Sequence, residues 1–136
     1  LQSVDAVFGE QEPLDVLFAF DRSASTTGDL IARLRESARA IVATLGADDR
    51  AGLLAFNNRF ALVAPLGPPA GLPRAIDALV PESGTALLDA ASVAFGLTAA
   101  STRRTMILLF TDGADTLSWL PERLVIEQAR SSDAVL

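Results

Sequence analysis

The stretch "LDVLFAFDRSAS" (residues 14–25) changes character abruptly after Phe20. Its first seven residues are almost entirely apolar and include Val and Phe, which is typical of a strand buried on both faces of a sheet. The next five residues place Asp21, Ser23 and Ser25 at alternate positions, so an extended backbone can direct all three side chains the same way. Two interpretations follow: a turn that only caps the next helix, or a binding site at the end of a central strand.

Apolar runs and helical patterns alternate along the rest of the chain. "RAGLLAF" (50–56) and "RTMILLF" (104–110) are predicted as further buried strands, and "FALVAPL" (60–66) is predicted as an antiparallel edge strand because it contains Pro65. Amphipathic helices are predicted over 29–45, ended by Gly46, near 72–79, from Thr85 to about Ala100, and over 121–130. "DAVL" (133–136) is predicted to begin another strand. This order predicts an α/β fold: a Rossmann-like, doubly wound and mostly parallel sheet with one antiparallel edge strand and helices on both faces.

The composition excludes several function classes. The 136-residue chain has a net charge of −6, with no lysine, histidine or cysteine. The absence of histidine removes the usual base for activating a serine, and the absence of a basic patch argues against nucleic acid as a partner. No apolar run approaches the roughly 20 residues that a membrane-spanning helix needs.

Polar residues follow two of the predicted strands and precede one helix. Asp112 follows the third buried strand in "TDG", and Thr85 follows "SG" before a helix. In open α/β sheets, ligands bind at the carboxyl ends of the strands. Two carboxylates and three hydroxyls form an all-oxygen set that suits Mg²⁺ or Mn²⁺. The predicted metal ligands are Asp21, Ser23, Ser25, Thr85 and Asp112.

The segments "DRSAS", "SGTALLDA" and "LLFTDGAD", in this order, resemble the metal-ion-dependent adhesion site of von Willebrand factor type A domains. The later "SWLPERLVIEQARSSDAVL" is similar to bacterial members of that family. The resemblance implies that Ser23, Ser25 and Thr85 are hydroxyl ligands, and that Asp21 and Asp112 act directly or through water. One departure is Ala24, where the family often has Gly.

The domain expectation is a lead-in segment at 1–13 followed by a type A-like domain at 14–136. The resemblance implies that the last strand and helices of the domain are missing from this chain. The remaining metal position would accept an Asp or Glu carboxylate from a protein partner, in a non-enzymatic adhesion or assembly module. A secreted or cell-surface location is implied by analogy. Self-association through an exposed sheet edge is a further expectation.

Two alternatives remain for the site. A phosphohydrolase of the haloacid dehalogenase type also places an Asp after its first strand and holds Mg²⁺, with Asp21 as nucleophile. It needs a second Asp where this chain has Ser23, and no lysine is present to neutralise a phosphate. The other alternative is a structural module with a vestigial site.

Individual residues near the site have simpler expected roles. Thr85 is expected to cap its helix as well as bind the metal, Asp115 to be a solvated loop residue, and Asp89 to be structural in the first turn of its helix. Asn57 is expected to form a turn and Trp119 to pack against the domain.

Overall fold

A computed structural model of the chain describes residues 12–24, 28–82, 84–113 and 115–136. The predicted alternation of strands and helices is confirmed within these residues. The elements are β1 (Leu14–Asp21), α1 (Asp29–Val42), β2 (Arg50–Phe56), β3 (Phe60–Gly67), a 3₁₀ turn (Pro69–Gly71), α2 (Leu72–Asp77), α3 (Leu87–Thr98), β4 (Arg104–Phe110) and α4 (Glu122–Ser131).

The sheet has the strand order β3-β2-β1-β4. Strand β1 is parallel to both β2 and β4, whereas β3 pairs with β2 in the antiparallel sense. The predicted fold class is therefore confirmed, including the position of Pro65 on an edge strand. Because the ends of β1 and β4 lie in register, with Phe20 beside Phe110, the residues that follow them emerge at the same edge of the sheet.

The core lies on both faces of β1. Phe18 and Phe20 point to one face, where the ring of Phe110 stacks on both at centroid distances of 5.8 and 5.5 Å. Leu17 and Ala19 point to the other face, which α3 and α4 cover. Fully burying an aliphatic or phenyl side chain contributes about 1.5–3 kcal/mol, so the apolar run of β1 fixes this strand at the centre of the fold.

Helix α1 ends earlier than the sequence pattern predicts. Its regular part stops at Val42, and the N–H groups of Thr44 and Leu45 bond the carbonyls three residues before them, which tightens the last turn. Gly46 does not cap the helix as predicted, because Ala43 occupies that position. The amide of Gly46 instead donates to the Asp49 carboxylate at 2.6 Å.

The segment after α4 runs beside the outer edge of β4. Only a single parallel bridge, between Met106 and Val135, represents the strand predicted at 133–136 in the described residues. None of the helices in the described ranges is long and apolar enough to cross a membrane.

Candidate metal centre

Asp21 ends β1 with its side chain fully buried. Its Oδ1 accepts a hydrogen bond from the Ser23 amide at 2.8 Å, and its Oδ2 accepts one from the Thr111 hydroxyl, also at 2.8 Å. Thr111 directly follows β4, so the second bond joins the ends of two neighbouring strands. These contacts fix the orientation of the carboxylate at the C-terminal edge of the sheet.

Ser23 is also buried, and it connects β1 to the segment before α3. It forms an isolated parallel bridge with Glu82, and the Glu82 amide donates to the Arg22 carbonyl at 2.6 Å. The Arg22 side chain forms an ion pair with Glu82 at 3.1 Å. The backbone after β1 is thereby held against the stretch that leads to Thr85.

Thr85 is buried at the start of the polypeptide that enters α3. Its carbonyl accepts hydrogen bonds from the amides of Thr116 and Leu117 at 3.0 and 2.9 Å. The prediction that Thr85 begins and caps this helix is wrong: α3 begins at Leu87, and the capping position belongs to Ala86. Thr85 is held instead by the loop that follows β4.

Asp112 lies exposed in that loop, which we call the site loop and define as residues 111–113 and 115–120. The Gly113 amide donates to the Thr111 hydroxyl oxygen at 3.1 Å. Gly113 has φ +83°, a conformation that residues with a Cβ rarely adopt, so the sequence "TDG" permits this turn. The fifth predicted ligand, Ser25, lies outside the described residues.

Two aspartates lock the site loop to the N-terminus of α3. Asp115 accepts a hydrogen bond from the Leu87 amide at 2.9 Å, and Asp89 accepts bonds from the amides of Trp119 and Leu120. The structural role predicted for Asp89 is confirmed. Asp115 is more than a solvated loop residue, because it caps a helix 28 positions away in sequence.

The prediction that Asn57 forms a turn is confirmed, because it exchanges hydrogen bonds with Arg59 between β2 and β3, whereas Trp119 differs from expectation. Asn57 is buried, and its side chain donates to Glu82 at 3.0 Å and accepts from the Arg59 amide. Trp119, which was expected to pack, is 92% exposed. Sequence alone gave no signal for the Asn57–Glu82 bond or for the exposure of Trp119, since both depend on segments that are distant in the chain.

The donor chemistry fits the predicted ion. Asp21, Ser23 and Thr85 belong to segments that the hydrogen bonds above bring to one edge of the sheet, and the site loop adds Asp112. Across the described ranges, no group of three or more His, Cys, Asp or Glu side chains could hold a metal. A metal at this edge would need hydroxyl ligands as well as the two carboxylates, a mixed oxygen set of the kind that suits Mg²⁺.

A second buried aspartate lies at the opposite end of β1. Asp15 accepts hydrogen bonds from Arg50, including one from Nε at 2.8 Å, and from the Ser101 hydroxyl at 2.6 Å; Arg103 lies 3.8 Å away. The Arg50 hydrogen bonds hold the pKa of Asp15 below its ordinary value of 3.8, although burial opposes them, and Ser101 and the two arginine charges lower it further.

With this geometry established, the family model of the von Willebrand factor type A domain matches residues 16–114. The chain belongs to this family. The match begins in β1 and ends in the site loop, so it includes every residue of the predicted metal set. No curated protein sequence matches the chain significantly.

Solved structures of this domain type share the fold. The three N-terminal domains of the type V pili tip protein Mfa5 from Porphyromonas gingivalis align with a TM-score of 0.71 and 26% identity, covering 82% of this chain and 22% of that one. The vWF domain of the same protein aligns with a TM-score of 0.70 and 26% identity, covering 82% and 41%. The chain therefore spans less than half the length of these relatives.

A third neighbour shows the fold alone. Proximal thread matrix protein 1 from the mussel byssus aligns with a TM-score of 0.76 at 20% identity, covering 91% of this chain and 34% of that one.

Proposed function

We propose that this type A domain is a divalent-metal-dependent protein interaction module that serves adhesion or assembly. Ser23, Ser25 and Thr85 would hold Mg²⁺ or Mn²⁺ through hydroxyl oxygens, with Asp21 and Asp112 acting directly or through water. The observation that carries the proposal is the convergence at one sheet edge of Asp21, Ser23 and Thr85 with the loop that bears Asp112. When bound, the ion would supply an open coordination position for a carboxylate of a partner protein.

The charge balance supports an acidic ligand group at this place. Neutral hydroxyl ligands leave an ion with most of its positive charge, which favours an incoming carboxylate. The chain itself carries a net charge of −6 and so repels acidic partners in general. A metal bound at this edge of the sheet would therefore create a local site at which an Asp or Glu of a partner can bind.

Family membership and the named relatives support the interaction role. The Mfa5 relative is a type V pili tip protein, at 26% identity over most of this chain. We extend an adhesion or assembly role, and with it a secreted or cell-surface location, to this chain as part of the proposal. The proposal includes no catalytic step: a phosphohydrolase would need an acid two positions after Asp21, where Ser23 is buried.

The test is calorimetric titration of the metal-free protein with Mg²⁺ and Mn²⁺, beside Asp112→Asn and Thr85→Ala. We expect saturable binding by the wild type and its loss in both variants. Glu122→Gln is the matched control, because it removes an exposed carboxylate at the start of α4 and should bind normally. A folded wild type that binds neither ion would contradict the proposal and favour a structural module.

A further inference from the structure

Beside the candidate metal centre lies a groove whose lining the proposed function does not use. We call it the Trp119 groove; it has a volume of about 310 Å³ and is lined by Asn58, Phe60, Ala86, Asp89, Leu117 and Trp119. Its apolar side chains are unusually open to solvent: Phe60 is 40%, Leu117 47% and Trp119 92% exposed. Exposed aromatic and aliphatic side chains in contact with one another are characteristic of binding surfaces.

The groove adjoins the metal centre through the backbone. Ala86 directly follows Thr85, and the Leu117 amide donates to the Thr85 carbonyl at 2.9 Å. Gly84, with φ +85°, lies so close to Leu117 that an added Cβ would come within 2.5 Å of Leu117 Cδ1. A peptide whose carboxylate binds the proposed metal would therefore need only a few more residues to extend into the groove.

The position of Trp119 is fixed by the fold. Its amide donates to both carboxylate oxygens of Asp89 at 3.1 and 3.0 Å, and the Leu120 amide adds a third bond at 2.9 Å. These bonds anchor the backbone that presents the indole to solvent. Because the backbone is already ordered, only the two χ angles of the indole lose freedom when a partner covers it.

One positive charge lies beside the groove. Arg59 is exposed in the chain between the groove residues Asn58 and Phe60. The Asp89 carboxylate is occupied by the three amide bonds, which offset its negative charge. The carboxylates of Asp112 and Asp115 also lie beside the groove, so attraction for a partner carboxylate depends on Arg59 and on the proposed divalent ion.

From these observations we infer that the Trp119 groove is the second half of the partner-binding surface. Its occupant is an acidic protein segment. One Asp or Glu of this segment binds the metal, and a bulky apolar residue lies within about three positions of that acid in the sequence. That apolar side chain inserts between Phe60, Leu117 and Trp119. This inference rests on the proposed metal-dependent function and adds the specificity element that a lone carboxylate contact lacks.

The first step of the test selects ligands. A phage-displayed library of random seven-residue peptides without Trp is bound to the protein in Mg²⁺ and eluted with EDTA. We expect the recovered peptides to combine an acidic residue with a nearby Leu, Ile, Met or Phe. Peptides that are apolar without an acid, acidic without an apolar residue, or not recovered above background contradict the inference.

The second step uses Trp119 itself as the reporter, because it is the chain's single tryptophan. Binding of a selected peptide should shift its fluorescence to the blue, and the peptide with its apolar residue changed to Ala should bind at least about tenfold more weakly. An unchanged emission during saturable peptide binding would overturn the inference. So would an emission that changes with protein concentration alone, since a second copy would then cover the groove.

The third step separates the groove from the metal. In calorimetry, Trp119→Ala and Phe60→Ser should lose peptide affinity at least tenfold while their Mg²⁺ affinity stays within about twofold. Ile126→Ser, which changes an exposed apolar residue of α4 outside the groove, is the matched control. If both groove variants bind Mg²⁺ and the peptide normally, the inference about the groove is wrong and the proposed function stands. If the wild type binds no Mg²⁺, the proposed function is wrong as well.

Discussion

Strand β1 buries an aspartate near each end, and different kinds of group donate hydrogen bonds to the two carboxylates. Asp15 accepts hydrogen bonds from Arg50 and lies near Arg103, so fixed positive charges of the protein accompany it. Asp21 accepts hydrogen bonds from neutral groups, the Ser23 amide and the Thr111 hydroxyl. The arginines stabilise the Asp15 end of the strand, whereas under the proposed function the Asp21 end would receive a mobile cation. Burial of an acid alone does not distinguish a structural role from a binding role.

The largest effect on stability is expected at the arginine end. Asp15→Ala should lower the free energy of unfolding by on the order of 3 kcal/mol, because it removes the shared acceptor of Arg50 and Ser101. Urea unfolding followed by circular dichroism measures this as a lower midpoint at an unchanged slope. Asp21→Asn, which keeps an acceptor for Thr111, should cost clearly less. Equal losses in the two variants would remove the contrast between the ends.

The next effect concerns the metal end. At an Mg²⁺ concentration of 100 times its dissociation constant, the wild type should gain about 2.7 kcal/mol of stability, because the ion binds the folded state. Asp21→Asn should gain nothing, whereas Asp15→Asn, although less stable at the start, should gain as much as the wild type. Thermal unfolding with and without Mg²⁺ gives all three values. A gain that depends on Asp15 would place the ion elsewhere.

A smaller change is expected from the backbone of the metal end. Gly84→Ala should cost about 1–2 kcal/mol, because φ +85° strains a residue with a Cβ and the new methyl group would displace Leu117. The displacement should also weaken Mg²⁺ binding through the Leu117–Thr85 hydrogen bond. Gly96→Ala in α3, where an added Cβ meets no atom within 4 Å, is the control and should be neutral or stabilising. If folded Gly84→Ala protein binds Mg²⁺ as tightly as the wild type does, the position of Leu117 has no influence on the metal centre, and this prediction is wrong.

The smallest effect is expected from pH. The pKa of Asp15 is lower in the folded protein than its ordinary 3.8, mainly through the Arg50 hydrogen bonds. Between these two pKa values the unfolded chain binds more protons, so stability rises with pH. The contribution of Asp15 is complete above pH 3.8 and is lost as the pH falls below it through the folded pKa. Urea midpoints measured from pH 5 downward should fall less steeply for Asp15→Asn than for the wild type.

The strands and the sheet class could be predicted because the sequence patterns that indicate them are local. The runs at 14–20, 50–56 and 104–110 are mostly apolar, with their few polar residues near the N-terminal end, and Pro65 marks an edge strand, so strand type and sheet class follow from short stretches of sequence. The positions of Asp21, Ser23 and Asp112 near one edge follow from the rule for parallel strand ends, because they end or follow β1 and β4. The family match covers the same segments.

What could not be predicted depends on contacts between distant segments. Thr85 is a usual capping residue by type, yet its backbone is taken by Thr116 and Leu117, and the cap of α3 comes from Asp115. The exposure of Trp119 follows from the Asp89 bonds to the site loop, which no local pattern contains. Side-chain type predicts which bonds a residue can make, and tertiary structure decides which of them form.

The central place of β1 also determines how the domain would carry mechanical tension. Seven residue pairs join β1 to β2 and seven join it to β4, and the candidate binding residues lie at the strand's C-terminal end. A pull on that end along the strand axis loads both ladders in shear, so their hydrogen bonds resist together instead of opening one after another. In a module that holds two bodies together, the strand that would position the proposed ion is thus also the strand that is hardest to extract.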